Sequence, residues 1–221
     1  MKPQDDRLTY WDTYYSTRGA PSIPSQFAVF VCDFLQPAQN VIEFGCGDGR
    51  DSFFFASQGY RTIGLDASEQ AIALCRGKLA RQNAASAGFE QLRVSAEWGE
   101  TETHAAAKSL MDKLAPDQPT AVYARFFLHA ISEEEELAFL RLVVKLLPGG
   151  LCAVEFRTHR DYYLKKETSP HYRRYIDPLA FHARAAQAGL EPVYFVEGFG
   201  FAKYKSDDAH VARCVLRKPP G

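Results

Sequence analysis

The sequence lacks any apolar run near the ~18–20 residues that a membrane-spanning helix needs, so no transmembrane segment is read from it. It also lacks a CxxC pair. The cysteines Cys32, Cys46, Cys75, Cys152 and Cys214 are scattered and odd in number. That pattern speaks against a disulfide framework or a zinc site and for a reducing compartment; no metal is expected. The stretch Met1 to Arg7 is too polar for a signal peptide, and the expected location is cytoplasmic. Charge of one sign is missing too: 26 Lys and Arg against 27 Asp and Glu leave a net charge of -1. Such a balance excludes a polybasic membrane binder or a nonspecific DNA binder, although a local basic patch stays open. No internal repeat or low-complexity stretch interrupts the chain. What is present is ordinary for a globular protein: 221 residues, 46% hydrophobic and 24% charged. That is enough for one domain over 1–221 with a full core.

Apolar runs and helical periodicities alternate. Short buried strands are predicted at 40–44, 61–65, 89–94, 121–124 and 151–156, with two late strands near 191–196 and 210–217. Helices are predicted at 50–58, 68–86, 102–115, 132–147 and 177–187. Ser132 with Glu135 reads as a capping box, and Pro148-Gly149-Gly150 stops that helix. Strands separated by helices imply an α/β fold with a mostly parallel, doubly wound sheet. The late strands would form an antiparallel edge hairpin, and the glycines at 198 and 200 suggest a bulge there. Ligands of such sheets lie beyond the carboxyl ends of the strands.

One of those ends reads Glu43-Phe44-Gly45-Cys46-Gly47-Asp48-Gly49, and Asp66 closes the next strand. Glycines let the backbone turn tightly and approach a ligand. A carboxylate at the second strand end can accept both hydroxyls of a ribose, or it can simply cap the helix beginning at Ala67-Ser68. Arg50 stands where a dinucleotide fingerprint has its third glycine, which counts against NAD.

Val41 to Ser52, with Thr62 to Ser68, resembles the first two motifs of the class I S-adenosylmethionine-dependent methyltransferases, and Leu147-Pro148-Gly149-Gly150 is similar to the stop that precedes a strand in that family. The likeness covers about 40–157 and is nearest to the small-molecule arm that includes thiopurine and tellurite-resistance enzymes. It implies a Rossmann-like, seven-stranded fold with S-adenosylmethionine as cofactor and S-adenosylhomocysteine as product. By the same resemblance Gly45, Cys46 and Gly47 pass under the methionine and ribose, while Glu43 orients the loop. Asp66 takes the ribose, with Ala67 and Ser68 beside the adenine. Ala96-Glu97-Trp98 supplies the acidic position at the adenine edge, with Glu where Asp is usual. Arg125 and Phe126 lie beneath the sulfonium.

The flanks suggest the acceptor side. Tyr10-Trp11-Asp12-Thr13-Tyr14-Tyr15 is dense in aromatics and, within an N-terminal helical lid over 1–38, would place Tyr14 and Tyr15 over the cofactor mouth. Aromatic faces favour a sulfonium cation. Trp11 is expected in the core, and Arg18 is a candidate for the methionine carboxylate. His129 is the candidate general base, since imidazole titrates near neutrality. The 157–176 insertion holds Arg157, Arg160, Lys165, Lys166, Arg173 and Arg174 against Asp161 and Glu167. Such a basic, tyrosine-rich lid suggests an anionic acceptor, with Arg157, Tyr172 and Arg173 as binding candidates. Tyr15, His129 and Arg157 are the candidate catalytic residues. The expectation is methyl transfer, most readily at oxygen, to a small anionic metabolite or glycan-type precursor. Nucleic acid and membrane are not expected partners. A tRNA or DNA methyltransferase and a catalytically dead binding protein of the same fold are the competing readings.

Overall fold

The computed structural model describes residues 3–17, 23–82, 85–164, 166, 171–204 and 206–219. The sheet begins with β1 (Asn40–Phe44), every residue of which is buried. Its side chains alternate between faces. Val41 joins Phe27, Phe55 and Tyr123 on one side, while Ile42 and Phe44 join Val122, Phe139 and Leu142 on the other. A strand covered on both faces is mostly apolar, as Val41, Ile42 and Phe44 are here, and its two buried polar residues are hydrogen-bonded, Asn40 to Ala115 and Glu43 to Ser52.

After β1 come helix α3 (Arg50–Ser57), β2 (Arg61–Asp66), α4 (Glu69–Gln82), β3 (Ala87–Gln91), α5 (Glu100–Met111), β4 (Thr120–Arg125), α6 (Glu133–Leu146) and β5 (Leu151–Arg157). Then follow α7 (Pro178–Gln187), β6 (Glu191–Gly198) and β7 (Val211–Arg217). Helices α1 (Pro3–Thr17) and α2 (Gln26–Val31) precede the sheet. The strand order is β3-β2-β1-β4-β5-β7-β6. The first five strands run parallel, and β7 is antiparallel to both β5 and β6. This is the expected seven-stranded, doubly wound sheet with an antiparallel edge pair. No described helix is long and apolar enough to cross a membrane.

The helix expected over 68–86 is Glu69–Gln82 and the one expected over 102–115 is Glu100–Met111, and two further differences lie in the sheet. β3 pairs Asp66 with Gln91 and ends there, not at Val94. Leu92 N still reaches Asp66 O at 2.9 Å, but β2 then turns into α4 and offers no further partner. The irregularity in the edge pair lies between Pro192 and Tyr194, not at Gly198 or Gly200. Pro192 has no N–H to give the ladder, so an edge position is where it can sit. Gly200 turns in the left-handed region (φ 82°) toward a small ribbon that pairs Lys203–Tyr204 with Asp207–Asp208.

Glu136 holds α6, α7 and the segment before α7 together. It is fully buried, accepts from Arg184 Nε at 2.6 Å and pairs with Arg174. Removing a buried carboxylate strands its cations, at about 3–5 kcal/mol. Glu136→Ala should therefore lower the urea midpoint by an amount equivalent to about 3 kcal/mol with little change in m; a loss below about 1 kcal/mol would show Glu133, 3.6 Å from Arg174 and 3.4 Å from Arg184, and water sufficing for the two arginines.

Candidate functional site

The turn after β1 is built on glycine for a steric reason. Gly45, Gly47 and Gly49 all have positive φ, at 71°, 54° and 80°. L-residues adopt that region at a cost, and glycine does not. At Gly47 the space is taken as well: a Cβ there would lie 2.3 Å from Tyr15 Oη. The turn is pinned to the neighbouring strand, because Gly45 N and Cys46 N both donate to Leu65 O, at 2.8 and 2.9 Å.

Asp66 completes the attachment. Its Oδ2 accepts from Gly47 N and its Oδ1 from Ser68 N, both at 2.9 Å. Burial pushes this carboxyl up, and the N–H groups of Ser68, Gly47 and Ala67 only partly offset that. Asp66 thus does what a helix cap does while also lining the cavity. Ser68 lies outside the cavity lining; its hydroxyl accepts from Ala71 N and donates to Asp12 Oδ1 at 2.5 Å, so it docks α1 instead of facing an adenine. Glu43 sits below the turn, where Ser52 Oγ donates to it at 2.5 Å. Burial and then the Asp51 charge push Glu43 well up. Asp51 goes the other way: burial raises it, but Arg50, Arg125 and the hydrogen bonds from Ser25 outweigh that and hold it below the usual carboxylate range.

Above the turn lies a cavity of about 370 Å³, within the range of small-molecule sites. Trp11, Tyr14 and Tyr15 close it from α1. Trp11 is therefore a wall residue, not the core residue expected: its ring stacks on Tyr15 at 6.0 Å and meets His171 edge-on at 5.4 Å. Burial and the charge of Asp66 push the Tyr15 phenol well up. It stays protonated near neutrality and is no base. Latches on both sides hold α1 in place. Asp12 reaches Ser68, and Arg7 forks onto Glu135 at 2.9 and 3.1 Å beneath the ring of Tyr172. Arg18 lies outside the described residues.

The adenine-edge expectation shifts by a few residues. Leu92, Arg93 and Val94 line the cavity, whereas Ala96, Glu97 and Trp98 do not. Ala96 and Glu97 are exposed, and the Trp98 ring packs on the core. The early end of β3 is what leaves 92–94 free to lie along the cavity wall.

On the far wall, Phe126 adopts φ 58°, a left-handed conformation rare for an aromatic residue and one that clusters at functional sites. Its N donates to Glu155 O at 2.8 Å, and its ring carries the Arg125 guanidinium at 4.2 Å. Arg125 pairs with Glu155 at 2.9 Å. Arg157 is not the open anion hook expected of it. Its guanidinium is bound by Asp161 at 2.7 Å and by Asp207 at 2.8 Å. Tyr172 is also displaced from its expected role, being exposed and stacked on Arg7 outside the cavity. Arg173 does line the cavity, with Nη2 3.2 Å from His171 Nε2. His129 is buried, and its Nδ1 accepts from Arg157 N at 3.3 Å. An imidazole that accepts at Nδ1 carries its proton on Nε2. Burial, then the charges of Arg157 and Arg173, push His129 well down, so it is neutral. This geometry makes His129 a donor to the cavity and corrects its assignment as a general base.

The sequence reading missed Ala202, Lys203, Tyr204 and Asp207, which the ribbon brings to the cavity. The interleaved glycines at 198 and 200 were the available signal. Among the described residues no cluster suits a metal ion.

Gly47→Ala should weaken S-adenosylmethionine binding at least tenfold in calorimetry, and Asp66→Ala should do the same by releasing the turn. Unchanged affinity in both would mean that the turn is not the cradle.

A family model described as a methyltransferase domain matches residues 42–152, half of the chain. Solved structures of similar fold include the CcbJ methyltransferase from Streptomyces caelestis, at 20% identity, TM-score 0.69, and 96% and 99% coverage of this chain and that one. A methyltransferase from Anabaena variabilis aligns at 19% identity, TM-score 0.69, with 99% and 96% covered. A TehB-like methyltransferase from Corynebacterium glutamicum aligns at 14% identity, TM-score 0.61, with 98% of each chain covered. The glycine turn, the carboxylate at the end of β2 and the matched domain agree: this chain belongs to the class I S-adenosylmethionine-dependent methyltransferases.

Proposed function

We propose that the enzyme methylates an anionic oxygen of a small molecule seated between Phe126, His129 and Arg173. The single observation that carries this reading is the hydrogen bond from Arg157 N to His129 Nδ1. A neutral imidazole with its proton on Nε2 can hold an anion but cannot take a proton from a hydroxyl. The acceptor oxygen should then arrive already ionised, as in a carboxylate or phosphate.

When bound, S-adenosylmethionine supplies a methyl group on a positively charged sulfur. The residues fit that group. Asp66 offers carboxylate lone pairs beyond those used by Gly47 and Ser68, Ala67, Leu92 and Val94 give an apolar wall, and Gly45 to Gly47 present bare backbone. Tyr14, Tyr15 and Phe126 offer aromatic faces to a cation. The chain's part in catalysis is alignment and exclusion of water. α1 covers the mouth through its latches at Ser68 and Glu135. Phe126, held by Glu155 O and by the flanking guanidinium of Arg125, fixes the wall opposite. His129 Nε2–H and Arg173 orient the acceptor. No proton changes hands, so the reaction is governed by distance and direction.

A screen of small carboxylates and phosphates for S-adenosylhomocysteine formation identifies the acceptor class. With that acceptor, Arg173→Ala should raise KM about tenfold, as expected for a lost charge-assisted bond, and leave S-adenosylmethionine affinity within about twofold. The pH profile follows from the sign of the His129 shift. Depressed by burial, His129 does not titrate near its usual 6.5, so with a carboxylate acceptor, itself ionised throughout, kcat/KM should be flat from about pH 6 to 8. A rise through pH 6.5 that disappears in His129→Ala would instead establish a base.

A further inference from the structure

The ribbon between β6 and β7 brings one carboxylate to the cavity wall with half of its bonding capacity unused. Asp207 is 6% exposed and lines the cavity. Its Oδ2 is bound to Arg157 Nη2 at 2.8 Å. Its Oδ1 is buried and has no hydrogen-bond partner among the described residues. The neighbouring carboxylate and hydroxyl acceptors are engaged, which sets Asp207 Oδ1 apart from them. Asp161 takes Arg157, Lys166 and the N–H of His210, and Thr158 Oγ1 bonds His210 Nδ1 at 2.7 Å. A buried acceptor without a donor is costly, and native structures keep few of them without a use.

The geometry points to Asp207 as a specificity residue that accepts a hydrogen bond from a hydroxyl on the methyl acceptor. The inference rests on the anionic-acceptor reading and narrows it to a hydroxylated anion. The donor must come from the ligand because a carboxylate can only accept. A hydroxyl suits the place better than an ammonium. Arg157 is bound to Asp207, and Arg173 and Lys203 line the same cavity, so a further cation would meet like charges. His129 Nε2–H and Arg173 would hold the anionic group while Asp207 Oδ1 reads the hydroxyl, which fixes the acceptor at two points.

The test uses series of probes in which one carbon carries a donor, an acceptor only, or neither: lactate, pyruvate and propionate, and 2-hydroxypropyl phosphate, acetonyl phosphate and propyl phosphate. Each is titrated into the full-length protein loaded with S-adenosylhomocysteine, and turnover with S-adenosylmethionine is followed in parallel. The hydroxyl member of at least one series should bind at least tenfold more tightly than both its partners. Asp207→Ala should bring that ratio within about threefold while cofactor affinity stays within twofold. Because Asp207→Ala also takes a partner from Arg157, Asp207→Asn serves as a second variant. Its carbonyl can keep Arg157 while an amide N–H replaces Oδ1, and the ratio should fall to an intermediate value. Equal binding within every series, binding of none, or a ratio unchanged in both variants overturns the role of Asp207. Retention of the hydroxyl preference with uncharged alcohols, together with an unaffected KM in Arg173→Ala, would leave Asp207 standing and overturn the anionic reading instead.

Discussion

The carboxylate of Asp66 is the joint on which the site depends. It binds the N–H of Gly47 across from it and the N–H of Ser68 beside it, so one side chain fixes both the turn after β1 and the start of α4. The turn therefore takes its position from the end of β2, where Leu65 O receives two more of its N–H groups. Ser68 passes the constraint outward by holding Asp12, and with it the helix that roofs the cavity. Burial opposes the charge on Asp66 and its N–H donors support it, a balance that keeps a hydrogen-bonding group where an apolar residue would otherwise be favoured.

How far the sequence could be read depended on whether a feature carries its own signal. β1 is legible because burial on both faces favours apolar residues such as Val41, Ile42 and Phe44 just before a glycine turn. α6 is legible because Ser132 and Glu135 cap it locally, as the structure shows. The glycine turn is legible because positive φ at successive positions leaves little choice of residue. The end of β3 is not legible, since it is set by where β2 stops, and the same dependence moved the cavity wall from 96–98 to 92–94. Nothing in the letter F announces that Phe126 sits in a left-handed conformation. Trp11 shows the same limit: an aromatic helix face can meet a core or a cavity, and only the docking of α1 decides which.

Charge is the other place where pattern and geometry part. The 157–176 segment is rich in arginine and lysine, and composition alone makes it an anion trap. In the fold, acids distant in sequence come to meet it. Asp207 takes Arg157, while Glu133 and Glu136 take Arg174. Counting residues in a segment measures formal charge, whereas a ligand responds to what is left after pairing. In the proposed reading the acceptor is held by Arg173 and His129, which line the cavity, and not by the lid as a whole.

The contact between Gly47 and Tyr15 makes two remote positions answer to each other. Any side chain at 47 would press into the phenol of Tyr15, so the effect of a change at either site depends on the residue at the other, and their free-energy effects should not add. The roof of the cavity and its floor are then inherited as a pair: a descendant that enlarges position 47 must first shorten or swing away position 15, which would uncover the mouth that the tyrosine closes.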